Sequence, residues 1–420
     1  MVRRLIIAVR PILTEEMPVR ALILGSKEYP PLFRIEGCGG IEVHIAAIAS
    51  YLRERGVELF LVTRKGVGQA WVERQELLHI YRVPYIRNRL LRTFSFNFLA
   101  FPISLYLTFR CRVDIIHAND FISGLFGALA TKITGRPFLL SAPAFGSKQP
   151  EWPSLAKSLL LVFERFSLNS ADRIFLFTPQ DIHDALKRYK LDRRKIDLLG
   201  NATDVKRFES ADVAHRTEVG LQERSTSKIV MFVGRLTKSK GLDVLMEAFR
   251  NLADRNDAVL VLVGDGPERL ALAEKARAKQ IENRVFFVGK RTDVERLLGL
   301  ADVFVLPSLY EGFPITLLEA MAARRAIVAT RVGAVPVIVK NSVNGVLVSP
   351  GNPDELSHAI GFLLRDEGAR LKLSEQAHKT VQEKYSWSSV GEKVRNAYFF
   401  LVYKIQIKEK TLCRESVEIK

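Results

Sequence analysis

Two glutamates eight positions apart frame the stretch of this chain best suited to chemistry, "VFVLPSLYEGFPITLLEAMA" from Val303 to Ala322. The apolar, β-branched run Val303–Leu306 predicts a buried parallel strand that ends at Pro307. Ile315 onward has helical spacing and good helix formers. Glu311 is therefore expected at the carboxyl end of a strand, where open α/β sheets bind ligands, and Glu319 about one turn into the following helix. Between them, Gly312, Phe313, Pro314, Ile315 and Thr316 bring free N–H groups to a helix N-terminus, an anion-binding arrangement. One carboxylate can accept hydrogen bonds from sugar hydroxyls and the other from a ribose. Two solvated glutamates beside an ordinary turn would make the same local pattern.

A second constellation lies in "VFVGRLTKSKGLDVLMEAF". Arg235 and Lys240 follow a strand and precede a helix, and two such cations suit a diphosphate, Arg as a fork and Lys as a point charge. With Lys238 beside them they could also be a solvated basic loop. Near the N-terminus, Gly37, Gly39 and Gly40 open a helix, where glycines let backbone approach a phosphate; a plain surface loop is the alternative. The loop is not GxGxxG and lacks the ribose-reading acid, which disfavours NAD. In "DIIHAND", His117, Asn119 and Asp120 end a further strand. His117 there either meets a sugar or phosphate or is a hydrogen-bonded structural residue.

The elements that must position these groups alternate along the chain, as in parallel α/β sheets. One series of strands is expected at Ala21–Leu24, Val57–Val62, Val113–Ile116, Pro137–Leu140, Arg173–Phe177 and Lys195–Leu199. A second is expected at Ile229–Val233, Val259–Val263, Val285–Val288, Val303–Leu306, Ala326–Ala329 and Gly345–Val348. The fold class is therefore α/β, with two Rossmann-like doubly wound domains. The expected division is an extension over 1–19, an N-terminal domain over 20–208, a linker over 209–227 and a C-terminal domain over 228–386. A helix over 387–404 and a fraying tail over 405–420 follow.

At 420 residues, 48% hydrophobic and 26% charged, the chain has an ordinary globular balance. Cys38, Cys111 and Cys413 have no metal or CxxC spacing, which fits a reducing compartment. The apolar start Leu5–Val9 is too short for a signal segment. The net charge of +17 leans to the first half, which holds 31 Lys+Arg against 20 Asp+Glu over residues 1–210. No acid occurs between Glu76 and Asp114, a window containing Arg82, Arg87, Arg89, Arg92, Arg110 and Arg112. The apolar stretch Thr93–Phe109 inside it is shorter than the ~20 residues of a spanning helix and is interrupted by Asn97 and Pro102. It is either an interfacial element beside a basic patch, attracted to anionic lipid, or a buried helix among solvated arginines. No aromatic-basic motif supports nucleic-acid binding.

Taken together, these motifs resemble glycosyltransferase family 4, the retaining nucleotide-sugar enzymes of GT-B fold, over about Arg20–Tyr398. The most specific pieces are Glu311 through Glu319 and the Arg235/Lys240 pair. Supporting pieces are Gly39-Gly40, "LLGNATDVKRF" and "NGVLVSPGNPDEL". The resemblance implies two domains facing a cleft, the first binding acceptor and the second a nucleoside-diphosphate sugar, with the last helix crossing back to the first. It implies that Arg235 and Lys240 hold the diphosphate, approached from the other domain by Gly39 and Gly40. Glu311 would contact the transferred sugar and Glu319 the ribose, with backbone N–H groups of Phe313–Thr316 placing sugar and phosphate. It implies retention of configuration with no metal and no cofactor. His117 and Asn119 are carried as catalytic candidates with Glu311, Arg235 and Lys240. The chain departs from the family pattern at Asn119, where many members have a second His, and at Val337, where many have Glu. Expected partners are the donor, a glycan, lipid-linked or small-molecule acceptor, and an anionic membrane surface; the expected location is cytoplasmic, peripheral on the inner membrane face. A soluble transferase and a non-catalytic sugar-nucleotide-binding subunit are the other readings.

Overall fold

The computed structural model describes residues 18–29, 40–88, 91–142, 145, 154–222, 226–253 and 257–418. The chain divides into two compact units. One comprises the chain up to Phe175 with Leu186–Asp197 and the part from Gly391 onward; the other comprises Leu176–Ala185 and Leu198–Val390.

The first unit is built on β1 (Arg20–Ser26), β2 (Glu58–Arg64), β3 (Val72–Gln75), β4 (Leu78–Val83), β5 (Ile115–Ala118), β6 (Phe138–Ala142), β7 (Arg173–Leu176) and β8 (Ile196–Leu198). They lie in the order β3-β4-β2-β1-β5-β6-β7-β8. Strands β4, β2, β1, β5 and β6 run parallel, and β3 pairs antiparallel with β4. The β3–β4 hairpin has no glycine to mark its turn in the sequence: Leu77 itself takes φ 55°. The helices are α1 (Gly40–Arg53), α2 (Arg92–Arg110), α3 (Phe121–Thr134) and α4 (Ser154–Ser170). Asp120 starts α3, accepting from the N–H groups of Ile122 and Ser123 at 2.8 Å each.

The direction of each crossover sets the face each helix covers. The chain steps one way along the sheet from β1 to β2, and the other way from β4 to β5, β5 to β6 and β6 to β7. Right-handed crossovers therefore put α1 on one face and α2, α3 and α4 side by side on the opposite face. The packing agrees: α3 lies between α2 and α4. Pro102 does not break α2, which runs unbroken for 19 residues.

After α5 (Pro179–Tyr189) and the short α6 (Val205–Glu209), the second unit repeats the pattern with β9 (Lys228–Val233), β10 (Ala258–Val263), β11 (Val285–Gly289), β12 (Val303–Leu306), β13 (Ala326–Thr330) and β14 (Val346–Val348). All six are parallel, in the order β11-β10-β9-β12-β13-β14. Helices α7 (Leu242–Ala253), α8 (Arg269–Ala278), α9 (Val294–Leu298), α10 (Ile315–Ala322), α11 (Val335–Ile338), α12 (Pro353–Arg365) and α13 (Glu367–Lys384) complete it. All twelve strands expected from the sequence are present. The stretch 199–208, read as the end of the first domain, instead belongs to the second unit, because Val205 and Phe208 are part of its apolar core.

The last helix, α14 (Trp387–Glu418), continues past the expected end at 404. From Gly391 onward it belongs to the first unit. The Tyr51 hydroxyl donates to Glu392 at 2.8 Å, fixing α14 beside α1. Deeper in, the Tyr398 hydroxyl lies 2.8 Å from His117 Nδ1, and Ser141 Oγ lies 2.8 Å from His117 Nε2. Burial, with a smaller repulsion from His44, pushes the His117 pKa down to about 3, so the ring is neutral at pH 7. A neutral imidazole with both nitrogens bonded is a satisfied buried group that ties α14 to β5 and β6. Removing only the hydroxyl, in Tyr398→Phe, leaves His117 Nδ1 buried without this partner and is expected to cost about 1–3 kcal/mol of stability. Urea unfolding of the variant and the parent measures the difference.

Candidate active site

The connections of the second unit reverse direction between β9 and β12, which are neighbours although β10 and β11 separate them in sequence. Such a switch point leaves a crevice beyond the strand ends. Arg235 and Lys240 follow β9, and Glu311 follows β12, so the fold brings these three predicted residues to one crevice.

Glycine turns set the distances there. At the end of β9, Gly234 packs on the turn after β10: a Cβ on Gly264 would lie 1.9 Å from the Gly234 carbonyl oxygen. Arg235, next in the chain, is exposed and has no side-chain partner among the described residues. The next turn, Lys238–Lys240, ends at Gly241 with φ +64°, and a Cβ there would lie 2.1 Å from the Pro307 carbonyl oxygen. Only glycine allows this contact. The Leu309 and Tyr310 N–H groups donate to the Ser239 carbonyl at 2.9 and 3.3 Å. The loops after β9 and β12 are thus bonded backbone to backbone.

Their side chains meet as a consequence. Lys240 Nζ lies 2.5 Å from Glu311 Oε1, and the buried Ser308 hydroxyl donates to the same oxygen at 2.7 Å. Glu311 is only 8% exposed, so these partners offset the cost of burying its charge. Thr330 in turn donates to the Ser308 carbonyl at 2.5 Å. On the far side, Gly333 (φ +52°) lies directly on the Glu311 carbonyl, and the Ala334 N–H donates to the Gly312 carbonyl at 3.0 Å.

Helix α10 begins at Ile315, preceded by Pro314, and no side chain caps it. Its first-turn N–H groups remain available to an anion. Phe313 is fixed by the segment read from sequence as a junction. Its carbonyl accepts from Asn201 Nδ2 at 3.1 Å, its ring covers Gly200, and it meets Tyr385 edge-on at 5.7 Å. Glu319 projects from α10 near Arg207 and Glu295, which pair with each other at 2.7 Å. Part of its side chain reaches solvent, yet surrounding protein atoms push its pKa up to about 7. Burial is the main cause; Arg207 opposes it and Glu295 adds to it.

The candidates in the first unit are arranged differently. His117 is engaged at both nitrogens as described above. Asn119 is buried and donates from Nδ2 to the Leu24 carbonyl at 3.1 Å. Both stand at that unit's own reversal, between β1 and β5. Gly40 is the first residue of α1; Gly37 and Gly39 lie outside the described residues. Among the described residues no group of His, Cys, Asp or Glu could hold a metal, and no helix is long and apolar enough to cross a membrane. Ser308, Thr330 and Asn201 escaped the sequence reading as site residues. Ser308 stands inside the Glu311 motif and Asn201 inside the junction motif, but nothing local says where their side chains point.

Two family models match successive parts of this chain. That for "Glycosyltransferase Family 4" covers residues 38–207, and that for "Glycosyl transferases group 1" covers residues 216–380. The chain is a family 4-type glycosyltransferase. It is 29% identical over 384 residues to an uncharacterised glycosyltransferase of Methanocaldococcus jannaschii, covering 88% of this chain and 96% of that one. Sucrose-phosphate synthase from Thermosynechococcus elongatus superposes with a TM-score of 0.76 at 24% identity, over 92% of this chain and all of that one. Anabaena HepE, solved in complex with UDP-glucose, superposes at 0.69 and 20% identity, over 90% and 98% of the two chains. The glycosyltransferase therefore has the two-domain GT-B fold.

Glu319 carries a stability signature. A carboxyl whose folded-state pKa is raised holds its proton more tightly when folded, so stability falls as pH rises from about 4.5 to 7 and then levels off. Glu319→Gln, which mimics the protonated form, is expected to stabilise the unliganded enzyme by about 1–3 kcal/mol at pH 8 and to leave it unchanged at pH 4. Thermal melts of parent and variant at both pH values measure this.

Proposed function

We propose that this glycosyltransferase moves a hexose from a nucleoside-diphosphate sugar, with retention and without a metal, to a lipid-linked or envelope-glycan acceptor at the cytoplasmic face of a membrane. The observation that carries the donor half is the switch-point crevice of the second unit. There an exposed arginine, a lysine and a buried carboxylate converge beside an uncapped helix start. The UDP-glucose bound to HepE, a protein of the same fold, supports the reading.

In this reading Arg235 and Lys240 hold the diphosphate and meet the charge that grows on it as the bond to the sugar breaks. The N–H groups of Phe313–Thr316 place phosphate and sugar. Glu311, oriented by Ser308 and Lys240, accepts from the sugar hydroxyls, and Glu319 accepts from the ribose. The acceptor oxygen forms its bond to the anomeric carbon on the face the diphosphate leaves, and its proton passes to the departing phosphate oxygen. His117 and Asn119 enter as positioning residues, because their ring and amide groups already hold β1, β5 and α14 in register. A soluble, small-molecule acceptor is the second reading, favoured by the likeness to sucrose-phosphate synthase.

Arg235→Ala and Lys240→Ala are expected to weaken UDP binding by roughly 10- to 100-fold and uridine binding far less, since only the diphosphate loses a charged partner. Calorimetry with both ligands tests this, and equal losses would remove the diphosphate role. Slow hydrolysis of the donor should persist in excess EDTA and drop by about 100-fold or more in Glu311→Gln. Hydrolysis that only added magnesium or manganese restores would contradict the metal-free mechanism.

A further inference from the structure

Helix α2 carries large apolar side chains on its outer side as well as on its buried side. Phe96, Ala100 and Leu107 are buried, and so are three polar residues, Asn97, Ser104 and Thr108. These bond back to their own helix: Asn97 Nδ2 to the Thr93 carbonyl at 2.8 Å, Ser104 Oγ to Ala100 at 2.8 Å and Thr108 Oγ1 to Ser104 at 2.7 Å. Its outer side carries Phe98, Tyr106 and Phe109, 62%, 62% and 63% exposed. With part of its inner side taken up by self-bonded polar groups and three large rings left on its outer side, the helix is not matched to water on that outer side.

The neighbouring helices extend this face. Ile133 of α3 and Leu159 and Val162 of α4 are also exposed. Across α2, α3 and α4 the only carboxylate is Glu164, which is fully buried and accepts from the Tyr189 hydroxyl at 2.5 Å. The same helices present Arg110, Lys132 and Arg165, all exposed. Outward aromatics, peripheral cations and no exposed acid match one kind of partner, a surface that is apolar below and negatively charged above. A protein partner would need an equally broad apolar, acid-rimmed patch; a bilayer containing anionic lipid offers it everywhere.

We infer that the outer face of α2, α3 and α4 docks the enzyme on an anionic bilayer, with the α2 aromatics entering the acyl boundary and the cations at headgroup level. This rests on the membrane reading of the acceptor and names the surface that would serve it. Two components with different salt dependence follow, because charge attraction is screened and apolar burial is not.

The test is sedimentation of the full chain with phosphatidylglycerol–phosphatidylcholine vesicles and with pure phosphatidylcholine vesicles. The wild type is expected to pellet with the anionic vesicles and to keep a residual bound fraction in about 0.5 M NaCl. The triple variant Phe98→Ser/Tyr106→Ser/Phe109→Ser should lose that residual fraction, with partitioning down roughly tenfold or more. Arg110→Glu/Lys132→Glu/Arg165→Glu should lose roughly a hundredfold at low salt. In Phe98→Trp, which keeps the face intact, indole emission should shift to the blue with anionic vesicles. Donor hydrolysis without vesicles should stay at wild-type level in every variant, so its loss would speak against the proposed chemistry and not against this surface. Wild-type protein that stays in the supernatant at low salt, or pelleting that the variants leave unchanged, overturns the inference. So does a dimer in solution that the same substitutions dissociate, which would make the face a contact between copies of this chain.

Discussion

A carboxylate taken out of water must be paired and hydrogen-bonded, and the second unit is organised around meeting that requirement at Glu311. Ser308 and Lys240 both reach Oε1, from the loop after β12 and from the turn after β9. Neither would arrive there if Gly241 did not let its turn rest on the Pro307 carbonyl, or if the Leu309 and Tyr310 N–H groups did not bond Ser239. The polar contact is the visible outcome; the constraint beneath it is backbone packing so close that only glycine fits. Arg235, by contrast, needs no such support. It is exposed and has no side-chain partner among the described residues.

Glu319 shows the opposite compromise. Burial raises its pKa to about 7, so the unliganded protein carries a group that would be more stable protonated. Strain of this sort persists where surrounding structure enforces it, and it concentrates at sites that bind. Here α10 enforces it: the residue that begins one turn after the uncapped start must project beside Arg207 and Glu295.

The first unit uses its two faces for different ends. On one, α1 and α14 pack through Tyr51 and Glu392, and Tyr398, His117 and Ser141 close a buried polar chain. That face is finished. On the other, α2 buries Phe96 and Leu107 yet leaves Phe98, Tyr106 and Phe109 outside, so the sheet is covered but the covering layer is left apolar toward the outside. The crossover handedness that assigns helices to faces thereby also gathers the acid-poor helices α2, α3 and α4 onto one surface.

The sequence by itself determined the α/β class and all twelve of the strands expected from it, because fully buried parallel strands are continuous β-branched runs that little else resembles. It also determined which charged residues would stand at strand ends, since Arg235, Lys240 and Glu311 each follow such a run within a few positions. It did not reveal the β3–β4 hairpin, whose turn uses Leu77 where a glycine would have been the signal, nor the extent of α14, whose charged end reads like a frayed tail. Only the tertiary structure decided that Lys240 and Glu311 touch, that Ser308 and Asn201 face inward, and that His117 is spent on Tyr398 and Ser141. It alone showed that Phe98, Tyr106 and Phe109 point outward. The reason is common to all of these. Periodicity fixes what kind of element a segment forms, but pairing between residues 71 or 281 positions apart depends on strand order, and strand order is set by packing that no local pattern records.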